Sequence, residues 1–320
     1  MSQDVWRQRF EHECPSAGGG ILPIMGIGRK DTYNVALFEG KKRILAFRAE
    51  RRRSFAWRRR AYHPMVFFAT EQKAGWQVTP DIPPFDMMED PFFVEIAQGG
   101  KQELIFGGVR IRRDGHKVIP QTEFYKGPDI TTLVRQPFLA VDDMKDIRLK
   151  QLPDGRFLLC KRPWGGEFGR GKVTLHIIDT LDQIGKSDLE TLAILDAGYK
   201  NAWTGVNDVY LIEDDRKKQW VGLLGHVAFD NDEGRHYAAC TFKILLKDLL
   251  DGKVQDVAPQ IIASRSCFAT GPAKRKTLRD VVFPGHLEHL GDNEYRLWAG
   301  LSDARIGTLD IVDPFKFSKP

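Results

Sequence analysis

Short apolar segments alternate along the chain with turns built from Gly, Asp and Lys, and this pattern predicts β-strands joined in hairpins. Ten segments have strand character: 33–38, 43–47, 92–96, 103–106, 156–160, 173–178, 209–213, 220–224, 237–244 and 295–299. Helical periodicity is weak, and it is limited to residues 247–252 and 187–195. The pattern therefore predicts an all-β fold.

A pair of apolar strands joined by a turn recurs five times, and the second strand of each pair ends near a charged or polar residue. These residues are Arg48, Arg110, Arg162, His226 and Asp303. The intervals between them average about 64 residues, which is longer than the 40–45 residues of a WD40 blade. We therefore predict a single five-bladed β-propeller over residues 1–320. Its expected blades span roughly residues 30–75, 88–130, 143–185, 203–250 and 278–316. A pair of β-sandwiches with hairpins aligned by chance is the alternative.

A propeller would bring residues that are distant in sequence to one mouth of a central channel. Arg48, Arg162, His226 and Asp303 would then converge there. Asp90, set by Pro91 at a strand entry, and Lys145, at the start of another pair, carry charge at similar points. Charged groups that become buried need a partner or a ligand. We therefore expect a binding site at this mouth.

Composition limits the classes of ligand. Lys and Arg total 48 and Asp and Glu total 43, so the net charge is only +5 and no nucleic-acid partner is expected. The arginines at 51–53 and 58–60 are interpreted as a solvated or phosphate-facing loop. No apolar stretch is long enough for a membrane span, so no membrane association is expected.

Cysteine spacing bears on the compartment. Cys14, Cys160, Cys240 and Cys267 form no C-x-x-C pair, which favours reduced thiols and a cytoplasmic protein.

Common cofactor and metal motifs are absent from the sequence. It has no Walker A motif and no G-x-G-x-x-G, and His286 and His289 lack a third ligand nearby. We therefore expect no cofactor and no metal.

Several motifs occur in a characteristic order: Asn34 with Arg48-Ala49-Glu50, Glu89-Asp90-Pro91, Lys145-Asp146, Arg162-Pro163, His226, and Gly300-Leu301-Ser302-Asp303. In this order they resemble the five-bladed β-mannoside phosphorylases of glycoside hydrolase family 130. They resemble more closely the mannosyltransferase–phosphorylases of glycosyltransferase family 108, formerly a domain of unknown function. The resemblance covers residues 34–311.

The resemblance implies roles for seven residues of this chain. They are Asp90 as the catalytic acid/base, Asn34, Arg48 and Asp303 as sugar-binding residues, and Lys145, Arg162 and His226 as phosphate-binding residues. Three tryptophans are candidates for stacking on sugar rings, namely Trp57, Trp164 and Trp203.

The predicted residue types favour phosphorolysis over hydrolysis. An inverting hydrolase needs two carboxyl groups about 6.5–9.5 Å apart, whereas a phosphorylase needs one acid and a basic pocket for phosphate. The resemblance implies transfer of mannose between mannose-1-phosphate, or GDP-mannose, and β-1,2-mannose oligosaccharides, with inorganic phosphate as a further substrate. An inverting β-mannosidase and a noncatalytic sugar-binding propeller stay open as alternatives.

Overall fold

The protein is described by a computed structural model that covers residues 18–51, 62–114, 117–163, 171–198, 201–255 and 257–316. Within these ranges the chain is nearly all β, with one short α-helix, α1 (Leu246–Leu250). The strands are β1 (Gly20–Leu22), β2 (Ile24–Met25), β3 (Lys30–Glu39), β4 (Arg43–Arg51), β5 (Met65–Gln72), β6 (Gly75–Val78), β7 (Phe85–Asp86), β8 (Met88–Gln98), β9 (Lys101–Asp114), β10 (Lys117–Gly127), β11 (Leu139–Asp142), β12 (Met144–Gln151), β13 (Phe157–Pro163), β14 (Val173–Ile178), β15 (Ala193–Leu195), β16 (Ala202–Glu213), β17 (Gln219–Asn231), β18 (Gly234–Leu245), β19 (Gln260–Ala263), β20 (Asp280–Gly291), β21 (Glu294–Leu301) and β22 (Arg305–Val312).

The strands form five largely antiparallel sets in chain order. Set 1 contains β2–β7, set 2 β8–β11, set 3 β12–β15 and set 4 β16–β19, whereas set 5 combines β20–β22 with β1. A two-residue parallel pairing of β18 with β20 joins sets 4 and 5 into one sheet. In set 5, β1 pairs with β22, so a strand from early in the chain completes the last set.

The first long strands of the five sets contact one another in a closed cycle. β3 contacts β8, β8 contacts β12, β12 contacts β16, β16 contacts β20, and β20 returns to β3. The apolar core follows the same cycle, because each of its five clusters draws side chains from two neighbouring sets. Between sets 5 and 1, the rings of Trp298 and Trp76 pack edge to face, with centroids 5.6 Å apart.

The structure confirms most of the predicted elements. All ten segments with strand character lie in strands, apart from the first residue of 156–160, and the predicted helical turn at 247–252 overlaps α1. The helix predicted at 187–195 is wrong, because Ala193–Leu195 is strand β15, paired with β14. Burial of Ala193 and Leu195 against set 4 outweighs the weak helical periodicity.

The expectation of reduced thiols is wrong in one place. Cys160 and Cys240 are free and buried, but Cys267 is disulfide-bonded. Cys14 lies outside the described residues.

No helix in the described part of the chain has the length and apolar character that a membrane span requires. The cytoplasmic location stays a prediction.

Candidate active site

A β-bulge interrupts the first long strand of every set at a similar depth. The register shifts at Asn34 in β3, at Asp90 and Pro91 in β8, at Asp146 in β12, at Asn207 in β16 and at Gly285 in β20. An extra residue in a bulge bends the strand and redirects its side chain. Four of the five bulges therefore carry an Asn or Asp side chain, and the bulge of β20 has Gly285 instead.

Three of the bulge residues have left-handed backbones: φ is 48° at Asn34, 50° at Asp90 and 52° at Asp146. Asn and Asp adopt this conformation more readily than other residues with side chains, because their short polar groups bond locally. All three are buried. The requirements of the backbone and of the site thus select the same residue types.

The carboxylate of Asp90 is held by two of the predicted sugar-binding residues. Asn34 donates a hydrogen bond from Nδ2 to Oδ1 of Asp90 at 2.6 Å, and Nη1 of Arg48 lies 3.7 Å from the same oxygen. Oδ1 of Asn34 is buried and accepts no hydrogen bond from the residues that the structure describes. This amide oxygen therefore has hydrogen-bonding capacity that the described residues leave unused.

Arg48 is the centre of a buried charged group. Its Nη2 lies 2.7 Å from Oε1 of Glu50 and 3.2 Å from Oε1 of Glu89, and it also donates to the hydroxyl of Tyr62. The guanidinium lies over the ring of Tyr33, 4.7 Å from its centroid. These contacts fix the guanidinium beside Asp90.

Lys274 joins this group from a distant part of the chain. Its Nζ donates to Oε2 of Glu50 at 2.8 Å and to the hydroxyl of Tyr33 at 2.7 Å. Burial alone would raise the pKa of Glu50, but Arg48 and Lys274 outweigh burial and hold that pKa at about 2. Glu50 is therefore a permanent anion that neutralises its neighbours.

Glu89 connects this group to the predicted phosphate-binding residues. Its Oε1 faces Arg48, and its Oε2 lies 3.7 Å from Nζ of Lys145. Burial raises the pKa of Glu89, and the two cations offset only part of this rise.

Lys145 and Arg162 are direct cross-strand partners in β12 and β13. Asp146, the next residue after Lys145, has its Oδ2 2.6 Å from Nη2 of Arg162. Burial would raise the pKa of Asp146, but Arg162 and other nearby positive groups lower it below its usual range. The predicted basic pocket therefore contains the buried carboxylate of Asp146, which the sequence motif included without assigning it a role.

His226 lies opposite Gly205 in the pairing of β17 with β16. Its Nδ1 is 2.9 Å from Oδ1 of Asn207. Burial lowers the pKa of His226 to about 3, although Asp146 opposes this shift. We therefore expect a neutral imidazole, which brings no charge to an anion.

Asp303 lines a cavity of about 370 Å³ that also contacts Arg48. The cavity is also lined by Tyr62, Asp230, Arg235, Lys274 and Arg275. Burial raises the pKa of Asp303, Arg48 and Lys274 oppose that rise, and the charge of Asp90 adds to it. The size and mixed polarity of the cavity suit a small polar ligand.

The seven predicted site residues thus meet through two linked groups. Asn34, Arg48, Asp90 and Asp303 interact in one, and Arg162 and His226 interact with Asp146 in the other. Lys145 influences both, through Glu89 and through Asp146.

Sequence reasoning missed several site residues. Among them are Tyr33, Tyr62, Asn207 and Lys274. Asn207 could have been found from the sequence, because it lies in the middle of an apolar strand, as Asn34 does. No comparable sequence signal marks Lys274.

Of the three tryptophans considered for stacking, Trp203 is buried and packs edge to face on Tyr237. Trp57 and Trp164 lie outside the described residues.

Solved structures with a similar fold include carbohydrate-active enzymes. MPT-4, a mannose phosphorylase from Leishmania mexicana solved with a phosphate ion, is 28% identical, with a TM-score of 0.80 over 98% of this chain and 93% of that one. MPT-1, a GDP-Man-dependent mannosyltransferase from the same organism, is 24% identical, with a TM-score of 0.79 over 98% and 95%. A β-1,2-mannobiose phosphorylase from Listeria innocua is 16% identical, with a TM-score of 0.61 over 88% and 90%. The resemblance to mannosyltransferases and mannoside phosphorylases is thus confirmed.

At the level of family, residues 8–317 match the model of DUF1861, a family described as proteins of unknown function. The chain belongs to this family. No curated protein sequence matches it.

Proposed function

We propose that this protein is an inverting β-1,2-mannoside phosphorylase or mannosyltransferase. It would move mannose between mannose-1-phosphate, or GDP-mannose, and β-1,2-mannose oligosaccharides. The proposed roles are those of the sequence resemblance: Asp90 as acid/base, Asn34, Arg48 and Asp303 on the sugar, and Lys145, Arg162 and His226 on phosphate.

One observation carries the proposal: a carboxylate and a cationic pair share one buried network. Asp90 contacts Arg48, Arg48 contacts Glu89, and Glu89 contacts Lys145, the cross-strand partner of Arg162. A phosphorylase needs this combination, because its acid must protonate the leaving oxygen while cations hold phosphate. The 28% identity to a mannose phosphorylase over nearly the whole chain adds support.

The reaction balances with a single acid. In phosphorolysis Asp90 gives a proton to the leaving oxygen while a phosphate oxygen attacks the anomeric carbon from the opposite face. The glycosidic C–O bond breaks and a C–O–P bond forms. The proton that hydrogen phosphate loses on becoming an ester dianion then restores Asp90. In synthesis Asp90 takes the proton of the acceptor hydroxyl.

We also propose that the chain is one five-bladed β-propeller domain, with each strand set as a blade. The closed cycle from β3 through β8, β12, β16 and β20 supports this count, as does the matching cycle of apolar clusters. Two separate sandwiches would leave that cycle open.

A second candidate, an inverting β-mannosidase, is favoured by Asp303. An inverting hydrolase needs a second carboxylate to activate water, and Asp303 lines the cavity with a raised pKa. The other carboxylates near Asp90 are less suited to this task, because Glu50 and Glu89 each contact two cations.

The deciding experiment incubates the protein with β-1,2-mannobiose, with and without inorganic phosphate. The proposal expects mannose-1-phosphate only when phosphate is present. Free mannose released equally in both samples would identify the mannosidase instead. A parallel incubation with GDP-mannose and mannobiose tests the nucleotide donor, and no turnover in any sample would favour a noncatalytic sugar-binding protein.

A variant of Arg162 tests the phosphate site. Arg162→Ala would strand the buried charge of Asp146, so Arg162→Lys is the cleaner change: it keeps the charge and removes the planar fork. We expect the KM for phosphate to rise about ten- to a hundredfold, and the KM for mannobiose to change little. Arg156→Lys is the matched control, because Arg156 also pairs with an aspartate, Asp154, but does so on the surface. Equal effects on both substrates would place Arg162 outside the phosphate site.

A further inference from the structure

The basic group that would hold phosphate contains a carboxylate of the opposite charge. Asp146 is 2% exposed and ion-paired with Arg162, and the low pKa described above keeps it ionised at neutral pH. A fully deprotonated anion beside Arg162 would therefore meet a second negative charge at close range. The site can bind an anion only if the negative charge of Asp146 is accommodated.

Two buried acceptor atoms near Arg162 point to one place. Oδ2 of Asp146 forms the ion pair with Arg162 and has a further lone pair to offer, and Nε2 of His226 has no hydrogen-bond partner among the described residues. Both atoms lie 2.8 Å from the position that a Cβ on Gly205 would occupy. They therefore converge beside the backbone of Gly205.

The protonation of His226 follows from its neighbour. In the amide orientation that the structure shows, Oδ1 of Asn207 faces Nδ1 of His226 at 2.9 Å, and because an amide oxygen only accepts, this orientation places the proton of the neutral ring on Nδ1. Nε2 is then an acceptor. Buried polar atoms are almost always hydrogen-bonded, so the free lone pairs of two converging acceptors favour a donor placed beside them.

We propose that Asp146 makes the phosphate site selective for an anion that carries a hydroxyl group. The P–O–H of hydrogen phosphate would donate to Oδ2 of Asp146, while Arg162 and Lys145 hold the charged oxygens. This proposal rests on the proposed function, since it concerns the same phosphate site.

The chemistry separates phosphate from sulfate. Near neutral pH phosphate and arsenate retain at least one proton, whereas sulfate retains none. Hydrogen bonds between a hydroxyl and a carboxylate are among the strong ones. A site built around a ligand hydroxyl rejects an analogue without it, because the buried acceptor is left unpaired and faces a lone pair. Asp146 would thus exclude an anion of nearly the same size and shape.

The first experiment uses the unmodified protein and measures binding of phosphate, arsenate and sulfate by calorimetry at pH 7. We expect phosphate and arsenate to bind within about threefold of each other and sulfate at least about tenfold more weakly. If sulfate binds as tightly as phosphate does, the proposed selectivity is wrong, but the phosphorylase proposal is unaffected. Absence of binding by all three anions instead contradicts the phosphate site itself.

The second experiment repeats the series with Asp146→Asn, which keeps the shape and replaces an acceptor with an amide donor. We expect the preference for phosphate over sulfate to fall to about threefold or less, through a gain in sulfate binding. Asp215→Asn is the matched control, because it removes the same charge from an exposed turn. An unchanged preference in a folded Asp146→Asn protein overturns the role of Asp146. If this variant does not fold, the series with the unmodified protein still decides.

Discussion

Asn34 and Asp90 are 56 residues apart, yet Nδ2 of Asn34 donates to Oδ1 of Asp90 at 2.6 Å. Both residues lie in β-bulges of neighbouring strands, and both have a left-handed backbone. The two bulges therefore place the amide of Asn34 against Asp90, the proposed acid/base. The role of this contact can be tested by giving residue 34 a negative charge.

Asn34→Asp should move the pH profile of the reaction to higher pH. The change is nearly isosteric, but it places two carboxylates in contact, and like charges at this distance strongly raise the pKa of one of them. The measurement is the pH dependence of kcat/KM for phosphorolysis. Asn34→Ala is the control, since it removes the hydrogen bond without adding charge and should lower activity with a much smaller alkaline shift. The same profile in both variants would contradict the idea that Asn34 sets the environment of Asp90.

Asp90→Asn should abolish turnover and preserve the fold. Asn keeps the shape and the contact distance but cannot transfer a proton, and general acid–base catalysis contributes about 10²- to 10⁴-fold. We therefore expect at least about a hundredfold loss in both synthesis and phosphorolysis, with mannose binding and melting temperature nearly unchanged. Asp142→Asn, an exposed change, is the control. Near-full turnover in either direction would remove Asp90 from the mechanism.

Gly205→Ala should weaken phosphate binding. A Cβ at this position would lie 2.4 Å from Cε1 of His226 and 2.8 Å from Oδ2 of Asp146, so both side chains must shift. We expect at least about a tenfold rise in the Kd for phosphate, the scale of one lost charge-assisted contact. Gly185→Ala is the control, because its Cβ would meet only Cγ2 of Val141, at 4.0 Å. Unchanged phosphate affinity in Gly205→Ala would show that the anion binds elsewhere.

His286 should make stability depend on pH in the alkaline range. Its Nδ1 lies 2.8 Å from Oδ2 of Asp208 and its Nε2 3.0 Å from Oε2 of Glu39, with Tyr210 also bonded to Asp208. Burial would lower the pKa of His286, but the two carboxylates raise it to about 9. Because the folded pKa exceeds the unfolded value of about 6.5, the stabilisation is complete below about pH 6.5 and is lost as pH rises through 9.

The test compares the free energy of unfolding of the unmodified protein with that of His286→Gln at pH 6 and pH 10. The difference should be larger at pH 6 by on the order of 3 kcal/mol. A difference that does not change with pH would mean that the two carboxylates do not raise the pKa of His286 in the folded state.

Much of the fold could be predicted from the sequence, because short apolar segments and turn residues are local signals. The segment 173–178 matches strand β14 residue for residue. The site was harder. Asn34, Asp90 and Asp146 are evenly spaced along the chain, because the interval from Asn34 to Asp90 equals the interval from Asp90 to Asp146. Asn and Asp residues in the interior of strands also indicate bulges. Lys274 meets Glu50 across 224 residues of chain, and no local pattern encodes that contact.

The pairing of β1 with β22 has a consequence for how the chain folds. β1 is made early during synthesis, but its partner strand is made only after all the other strands. Until β22 emerges, the apolar cluster between sets 5 and 1 lacks Ile306, and β1 and β21 have unpaired edges that are open to incorrect pairing. Closure therefore depends on contacts between segments that are far apart in the chain, which makes it a slow step in folding.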